Sequence, residues 1–288
     1  MNALRGAAPG PTLLLVAGIH GNEPAGVGVC RRLFDALKAR PFPAGEIAAF
    51  VANPPALAAG TRYETRDMNR QWTAAGLEAA RAATDPEAVA LAALAGGIDE
   101  VIARARGPIY ALDLHTTSAD GISFAIVGPA EADRAFAAQL ATTGVAGIAE
   151  RTPGTLAAHL SARGCIAIAI EGGQHASDDA VANLEAIVTL ALGATGLFAQ
   201  GDLPSFAASR ERLLRERGSL PPLIEVVSRH EVRPGFRMEP GFINIQRTVA
   251  GTLLAREGDA EIRAPFDGFL LLPLYQALGE DGFFYGRG

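Results

Sequence analysis

Cysteine is scarce in this chain: 288 residues hold two, Cys30 and Cys165. Two cysteines cannot build a disulfide framework or a cysteine-based zinc site. They read as buried thiols of a reducing compartment. Histidine is nearly as rare, with five copies, so the position of each matters. Long apolar runs are lacking too. The longest, Thr12 to Ile19, is strand-sized and far short of the roughly 18 residues a membrane-spanning helix needs. Positive charge is in short supply: 25 Lys and Arg stand against 31 Asp and Glu, a net charge of −6, with no basic run. Neither nucleic acid nor an anionic membrane is therefore an expected partner. Charged residues make up 19% and hydrophobic ones 49%, which excludes a disordered chain. Leu13 to Ala17 faintly imitates a signal peptide, but the run is short and Pro9 and Pro11 interrupt what precedes it. The expected location is the cytoplasm.

What is present is an alternation of strands and helices. Thr12–Ala17, Ile47–Ala52, Ile109–Leu114, Phe124–Val127 and Cys165–Ile170 are compact apolar runs that read as buried strands. Helical patterns follow Asn22-Glu23-Pro24 to about Leu37, and run from Asp85-Pro86 to about Ala105. Others cover Ala130–Thr142, Leu156–Arg163 and Asp178–Phe198. Apolar strands alternating with helices imply an α/β sandwich around a mixed, largely parallel sheet. The texture changes near Asp202-Leu203-Pro204, and beyond Pro221 the strands become short and broken by Gly and Pro. The expected organisation is a catalytic domain over residues 1–205 and an all-β module over 206–288.

Chemistry concentrates at strand ends. In Gly18-Ile19-His20-Gly21-Asn22-Glu23, His20 lies just beyond a strand and Glu23 at the start of the next helix. His115 ends the strand of Asp113-Leu114-His115-Thr116-Thr117, and Glu171 ends that of Ala169-Ile170-Glu171-Gly172-Gly173. His-x-x-Glu alone is weak, since a loop histidine beside a carboxylate at a helix start needs no metal. Three strand ends converging on one rim, where open α/β sheets collect functional groups, strengthen it. Two histidines and a carboxylate form a catalytic zinc set with an open position. A further glutamate on the rim is what a zinc hydrolase needs as general base. Gly18, Gly21 and Gly26 do not fit the spacing of a dinucleotide loop.

His-Gly-Asn-Glu-Pro, Asp-Met-Asn-Arg, Asp-Leu-His-Thr-Thr and Glu-Gly-Gly occur in that order between residues 18 and 173. In combination they resemble the succinylglutamate desuccinylase/aspartoacylase family, within the wider zinc carboxypeptidase-like group. The resemblance implies a three-layer zinc carboxypeptidase-like domain and one zinc ion per chain. It implies His20, Glu23 and His115 as zinc ligands and Glu171 as the catalytic carboxylate. Arg62 would polarise the scissile carbonyl, while Asn69 and Arg70 would hold a carboxylate of a small-molecule substrate. Asp67 and Asp113 would orient a ligand histidine or a site arginine. Arg66 competes with Arg62 for its role, and Asp67 competes as a plain turn cap.

The resemblance thins around the substrate. The arginine that aspartoacylase carries ten residues before its catalytic glutamate falls here on Ser161, with Arg163 displaced by two residues. A neighbouring tyrosine of that enzyme is absent from Thr155–His159. The expected reaction is thus deacylation of a small N-acyl amino acid. An ester or short peptide as substrate, or a silent metal-binding scaffold, are the alternatives. The segment Val249–Leu253 with Ala264–Gly268 resembles the barrel-sandwich fold of lipoyl carriers, but the module lacks the lysine a carrier needs. Tyr275 and Tyr285 are candidates for the mouth of the site. His159 and His175 read as surface residues, His230 has no role, and self-association is left open.

Overall fold

The computed structural model describes residues 2–38, 40, 42 and 44–288. The chain begins with β1 (Asn2–Arg5), β2 (Ala8–Ala17), α1 (Ala25–Leu37), β3 (Ala44–Val51) and α2 (Pro54–Ala59). After a 3-10 turn at Met68–Arg70 come α3 (Ala74–Ala82), α4 (Pro86–Arg104), β4 (Ile109–Thr117), β5 (Phe124–Val127) and α5 (Glu131–Ala138). Then follow β6 (Thr143–Ala146), α6 (Leu156–Ala162), β7 (Ile166–Gln174), α7 (Asp178–Ala194) and α8 (Phe206–Arg217). The last strands are β8 (Leu223–Glu231), β9 (Phe236–Met238), β10 (Gln246–Thr248), β11 (Leu253–Glu257), β12 (Ala260–Arg263), β13 (Gly268–Leu271) and β14 (Asp281–Arg287). Among the described residues no helix is long and apolar enough to cross a membrane.

Eleven strands form one mixed sheet, ordered β1-β3-β2-β4-β7-β5-β6-β8-β14-β13-β10. β3, β2, β4 and β7 are parallel. β5 runs antiparallel to β7, and β6 and β8 continue parallel to β5. β2 explains the layering. Leu13, Leu15 and Ala17 enter a core shared with α1 and α7, while Leu14 and Val16 enter one shared with α4 and α6. Successive side chains leave a strand on opposite faces, so a strand apolar at every position needs cover on both sides. Close approach is built in: a Cβ on Gly26 of α1 would stand 3.0 Å from the Leu114 Cβ and 3.1 Å from that of Ala17.

The C-terminal part differs from the separate all-β module expected from sequence. Residues 206–217 form α8, whose Leu213 joins the core of α1 and α7. β8 pairs with β6, with Val145 opposite Ile224, so the sheet runs on across residue 205. The reason is physical: Ile224 and Val226 are buried with Phe124 and Val145, and their pairing covers an otherwise open sheet edge. β14, β13 and β10 extend the same sheet, and only β9, β11 and β12 form a second, three-stranded one. The two meet around Met238, Leu254, Leu270, Phe283 and Tyr285.

This topology aligns the carboxyl ends of β2, β4 and β7. The loop leaving β2 turns at Gly18 (φ 69°) and runs across α2. There the Gly21 N–H donates to the Arg62 carbonyl at 3.1 Å. A Cβ on Gly21 would lie 2.0 Å from the backbone C and O of Ala56. Gly21→Ala must therefore push the loop off α2, at an expected cost of about 2 kcal/mol. A urea titration should show a lower midpoint; an unchanged midpoint would contradict the close packing.

Candidate active site

Glu23 is the hub of the site. It is buried at the start of α1 together with His20 and His115. Its Oε1 lies 2.8 Å from His20 Nδ1 and its Oε2 lies 3.0 Å from His115 Nδ1. The Thr116 N–H also donates to Oε2, at 3.0 Å. Donor atoms of the three side chains fall within 4.8 Å of one another, so the cluster could hold a metal ion. Burial works to raise the Glu23 pKa, but the charge of His20 and the hydrogen bond and charge of His115 outweigh it and hold the carboxylate well below its ordinary range. Burial disfavours charged His115, yet Asp113 and Glu23 outweigh that and raise its pKa.

The far nitrogens of both rings face carboxylates. His20 Nε2 lies 3.2 Å from Asp67 Oδ1. His115 Nε2 lies 2.9 Å from Asp113 Oδ2, an ion-pair distance whose alignment leaves both Asp113 oxygens without a hydrogen bond. A carboxylate behind the outer nitrogen orients the ring, and with a metal ion bound it would keep the proton on Nε2 and leave the Nδ1 lone pair for the metal.

Arg62, not Arg66, reaches the cluster. Its Nε and Nη2 donate to Asp67 Oδ2 at 3.3 and 3.1 Å, and Nη1 stands 3.7 Å from Glu23 Oε1. Burial alone would lower its pKa, but Asp67 and Glu23 raise it. Arg66 is exposed and lies 3.8 Å from Asp85. Asp67 also accepts from the Asn69 N–H at 2.9 Å, so it caps the turn while bonding His20.

Glu171 stands opposite His115 in the pairing of β4 with β7. It is buried, and its Oε2 has no hydrogen-bond partner among the described residues. Burial pushes its pKa up to about 8, against the favourable charge of His115. These groups line a cavity of about 460 Å³ that also takes in Asn69, Arg70, Ser161, Gln276 and Asp281.

Asn69 and Arg70 line this cavity but are engaged within the chain. Asn69 Oδ1 accepts from the Leu156 N–H at 2.8 Å and its Nδ2 lies 3.3 Å from His115 Nε2. Arg70 Nη1 donates to the Asn69 carbonyl at 2.9 Å and Nη2 to Asp281 at 2.6 Å. Tyr275 does not belong to the lining, a correction to the sequence expectation. Its hydroxyl donates to the Glu239 carbonyl at 2.6 Å and accepts from the Phe242 N–H, while its neighbours Leu274 and Gln276 face the cavity. Tyr285 is a core residue bonded to Thr248 and the Phe266 carbonyl. Arg163 turns away to Asp99. His175 is half-buried rather than a surface residue, bonded to Thr116 Oγ1 at 2.8 Å.

Sequence reading missed Glu87, Asp133 and Asp281. Glu87 anchors the loop that carries Arg62 and Asp67: it accepts from the backbone of Glu64, Thr65 and Arg66, from Thr65 Oγ1, and from Asn53 Nδ2. Only its place in the first turn of α4 is visible in sequence, and that reads as an ordinary helix-start acid. Burial tends to raise its pKa, but the bonds from Thr65, Asn53 and the loop backbone outweigh it and lower it. A lowered native pKa adds stability above the usual carboxylate value that is lost as pH falls through the native one. Glu87→Gln, which meets these donors with an amide, should cost about 2–3 kcal/mol at neutral pH. Urea titrations across pH should show the gap to the parent shrinking below about pH 4; a pH-independent gap would speak against a carboxylate anchor.

A sequence model of the succinylglutamate desuccinylase/aspartoacylase catalytic domain matches residues 9–217. The chain is 28% identical over 270 residues to a succinylglutamate desuccinylase of Burkholderia mallei, covering 86% of this chain and 71% of that one. Among solved structures, a succinylglutamate desuccinylase/aspartoacylase from Rhodobacter sphaeroides is similar at a TM-score of 0.71 and 17% identity, over 99% of this chain and 87% of that one. The ectoine utilization protein EutE (DoeB) from Ruegeria pomeroyi is similar at 0.68 and 18% identity, over 99% and 88%. At these identities the structural likeness is one of fold.

Proposed function

The chain belongs to the succinylglutamate desuccinylase/aspartoacylase family, and from that premise we propose that it is a zinc-dependent deacylase cleaving the amide bond of a small N-acyl amino acid or related acylated compound. The observation that carries this reading is the cluster His20, Glu23 and His115 with Glu171 opposite His115 on the next strand. A zinc ion bound there supplies Lewis acidity, acidifying water towards neutrality and polarising an acyl carbonyl.

The residues divide the remaining work. His20 and His115 present Nδ1 towards the cluster because Asp67 and Asp113 face their Nε2 atoms. Glu171 accepts the proton of the attacking water and later returns it to the leaving amine. Oε2, the oxygen without a partner, is the atom on which that proton is held. Without a metal ion, burial raises the Glu171 pKa to about 8 despite the charges of His115 and Arg62; a divalent charge nearby favours the ionised, basic form. Arg62 spends Nε and Nη2 on Asp67 and keeps Nη1 towards the cluster, where its fixed charge complements an oxyanion. Arg70 anchors a substrate carboxylate at the cavity wall, in competition with Asp281.

The purified protein should carry stoichiometric zinc, and chelation should abolish hydrolysis of N-acetyl and N-succinyl amino acids. Glu171→Gln should keep the zinc while lowering kcat about a hundred- to ten-thousand-fold. Absence of zinc, or a fully active Glu171→Gln variant, would sink the reading. Ester and dipeptide substrates in the same panel separate deacylation from its alternatives.

A further inference from the structure

Ala167, Ala169 and Glu171 alternate along β7 and so share one face of it, and all three line the cavity. Four residues of strand place Ala167 about 13 Å from Glu171. The small side chains of Ala167 and Ala169, with Ala158 and Ala162 of α6, leave a trough leading away from the metal-type cluster. Asp133 lies at its Ala167 end. It is 1% exposed. Its Oδ1 accepts from the Ala167 N–H at 2.9 Å and its Oδ2 from Ser161 Oγ at 2.8 Å. Both donors are neutral, and among the described residues no arginine, lysine or histidine forms an ion pair with it.

A buried carboxylate held only by neutral donors attracts a cation or a further donor and repels a second carboxylate. The rest of the lining adds to this bias: beside Asp133 it holds six carboxylates and two arginines, and both arginines are already paired, Arg62 with Asp67 and Arg70 with Asp281. We propose that Asp133 and Ser161 form a specificity wall that takes a substrate group ending in a hydrogen-bond donor, an ammonium foremost, and rejects one ending in a carboxylate. The assignment rests on the deacylase reading of the site. It makes the substrate an N-acyl amino acid whose extended side chain is basic, its one carboxylate remaining for Arg70.

Asp133 has a purely architectural alternative. β5 ends at Val127, opposite Ile168, so the Ala167 N–H beyond it needs an acceptor, and Asp133 supplies one. Asp133→Asn separates the two roles, because asparagine can still accept from that N–H while losing the charge. The parent should hydrolyse Nα-acetyl-lysine at least tenfold more efficiently, in kcat/KM, than Nα-acetyl-glutamate. Asp133→Asn should cut that ratio tenfold or more, chiefly through KM, and Ser161→Arg should move it the same way. Calorimetry with the same two compounds on zinc-loaded Glu171→Gln, with and without Asp133→Asn, reads the wall without turnover. Lysine-selective binding lost in Asp133→Asn, but with no hydrolysis by the parent, would overturn the deacylase reading and leave the wall standing. Equal or glutamate-favouring binding, no measurable binding of either compound, or a ratio unmoved by Asp133→Asn would overturn the wall.

Discussion

The site depends on one buried carboxylate shared by two imidazoles. Glu23 bonds His20 through one oxygen and His115 and the Thr116 N–H through the other. An unpaired carboxylate at that depth would be costly, so both histidines and the strand end of β4 must close around it together. The loop after β2 is held to that geometry, and its glycines are part of the constraint: no side chain fits between Gly21 and the backbone of Ala56. Fold and site are here one packing problem.

Around this hub, charges alternate outward. His20 is backed by Asp67, and Asp67 by Arg62; His115 is backed by Asp113. The two carboxylates orient the rings from behind, and Arg62 stabilises Asp67 in turn. The loop that delivers Asp67 and Arg62 has no sheet to hold it. Glu87 does that by gathering three consecutive N–H groups. A charged acceptor is suited to this because bonds to an ionised group are stronger than neutral ones. Positioning at the cavity is thus delegated to a helix start that never touches it.

Much of this was legible in the sequence, and the limits have physical causes. The strands that carry His20, His115 and Glu171 announce themselves as short apolar runs, and the structure extends two of them, β4 to Thr117 and β7 to Gln174. Local signals also place α1, α4 and α7. What fails to show are features fixed by distant pairing. α8 carries a weak apolar stripe, with Ser209 and Leu213 as its buried residues. β6 is four residues long and gains its identity from pairing with β5 and β8. The engagement of Arg70 by Asp281 joins residues 211 apart in sequence, and spacing rules cannot foresee it. The motif predicts which residue types assemble, while their charge compensation is set by long-range contacts.

That compensation ties the cavity to the C-terminal strands. Asp281 opens β14 and sits between two guanidiniums, bonding Arg70 through one oxygen and Arg229 of β8 through the other. Arg229 also donates to the Arg151 carbonyl at 2.8 Å, which fixes the trio to the segment before α6. A lone arginine on a cavity wall would draw any anion, whereas one already paired offers a second carboxylate only its surplus. Glu280 stands 3.7 Å from Arg70 and Glu231 2.9 Å from Arg229 as well, so the Arg70 charge is already compensated rather than focused on the cavity. An incoming carboxylate must share that charge with Asp281 or displace it, so its binding is coupled to the pairing of β14 with β8. The polarity of the cavity is therefore decided by strands that lie beyond the residues supplying its cluster, because the sheet is continuous from one to the other.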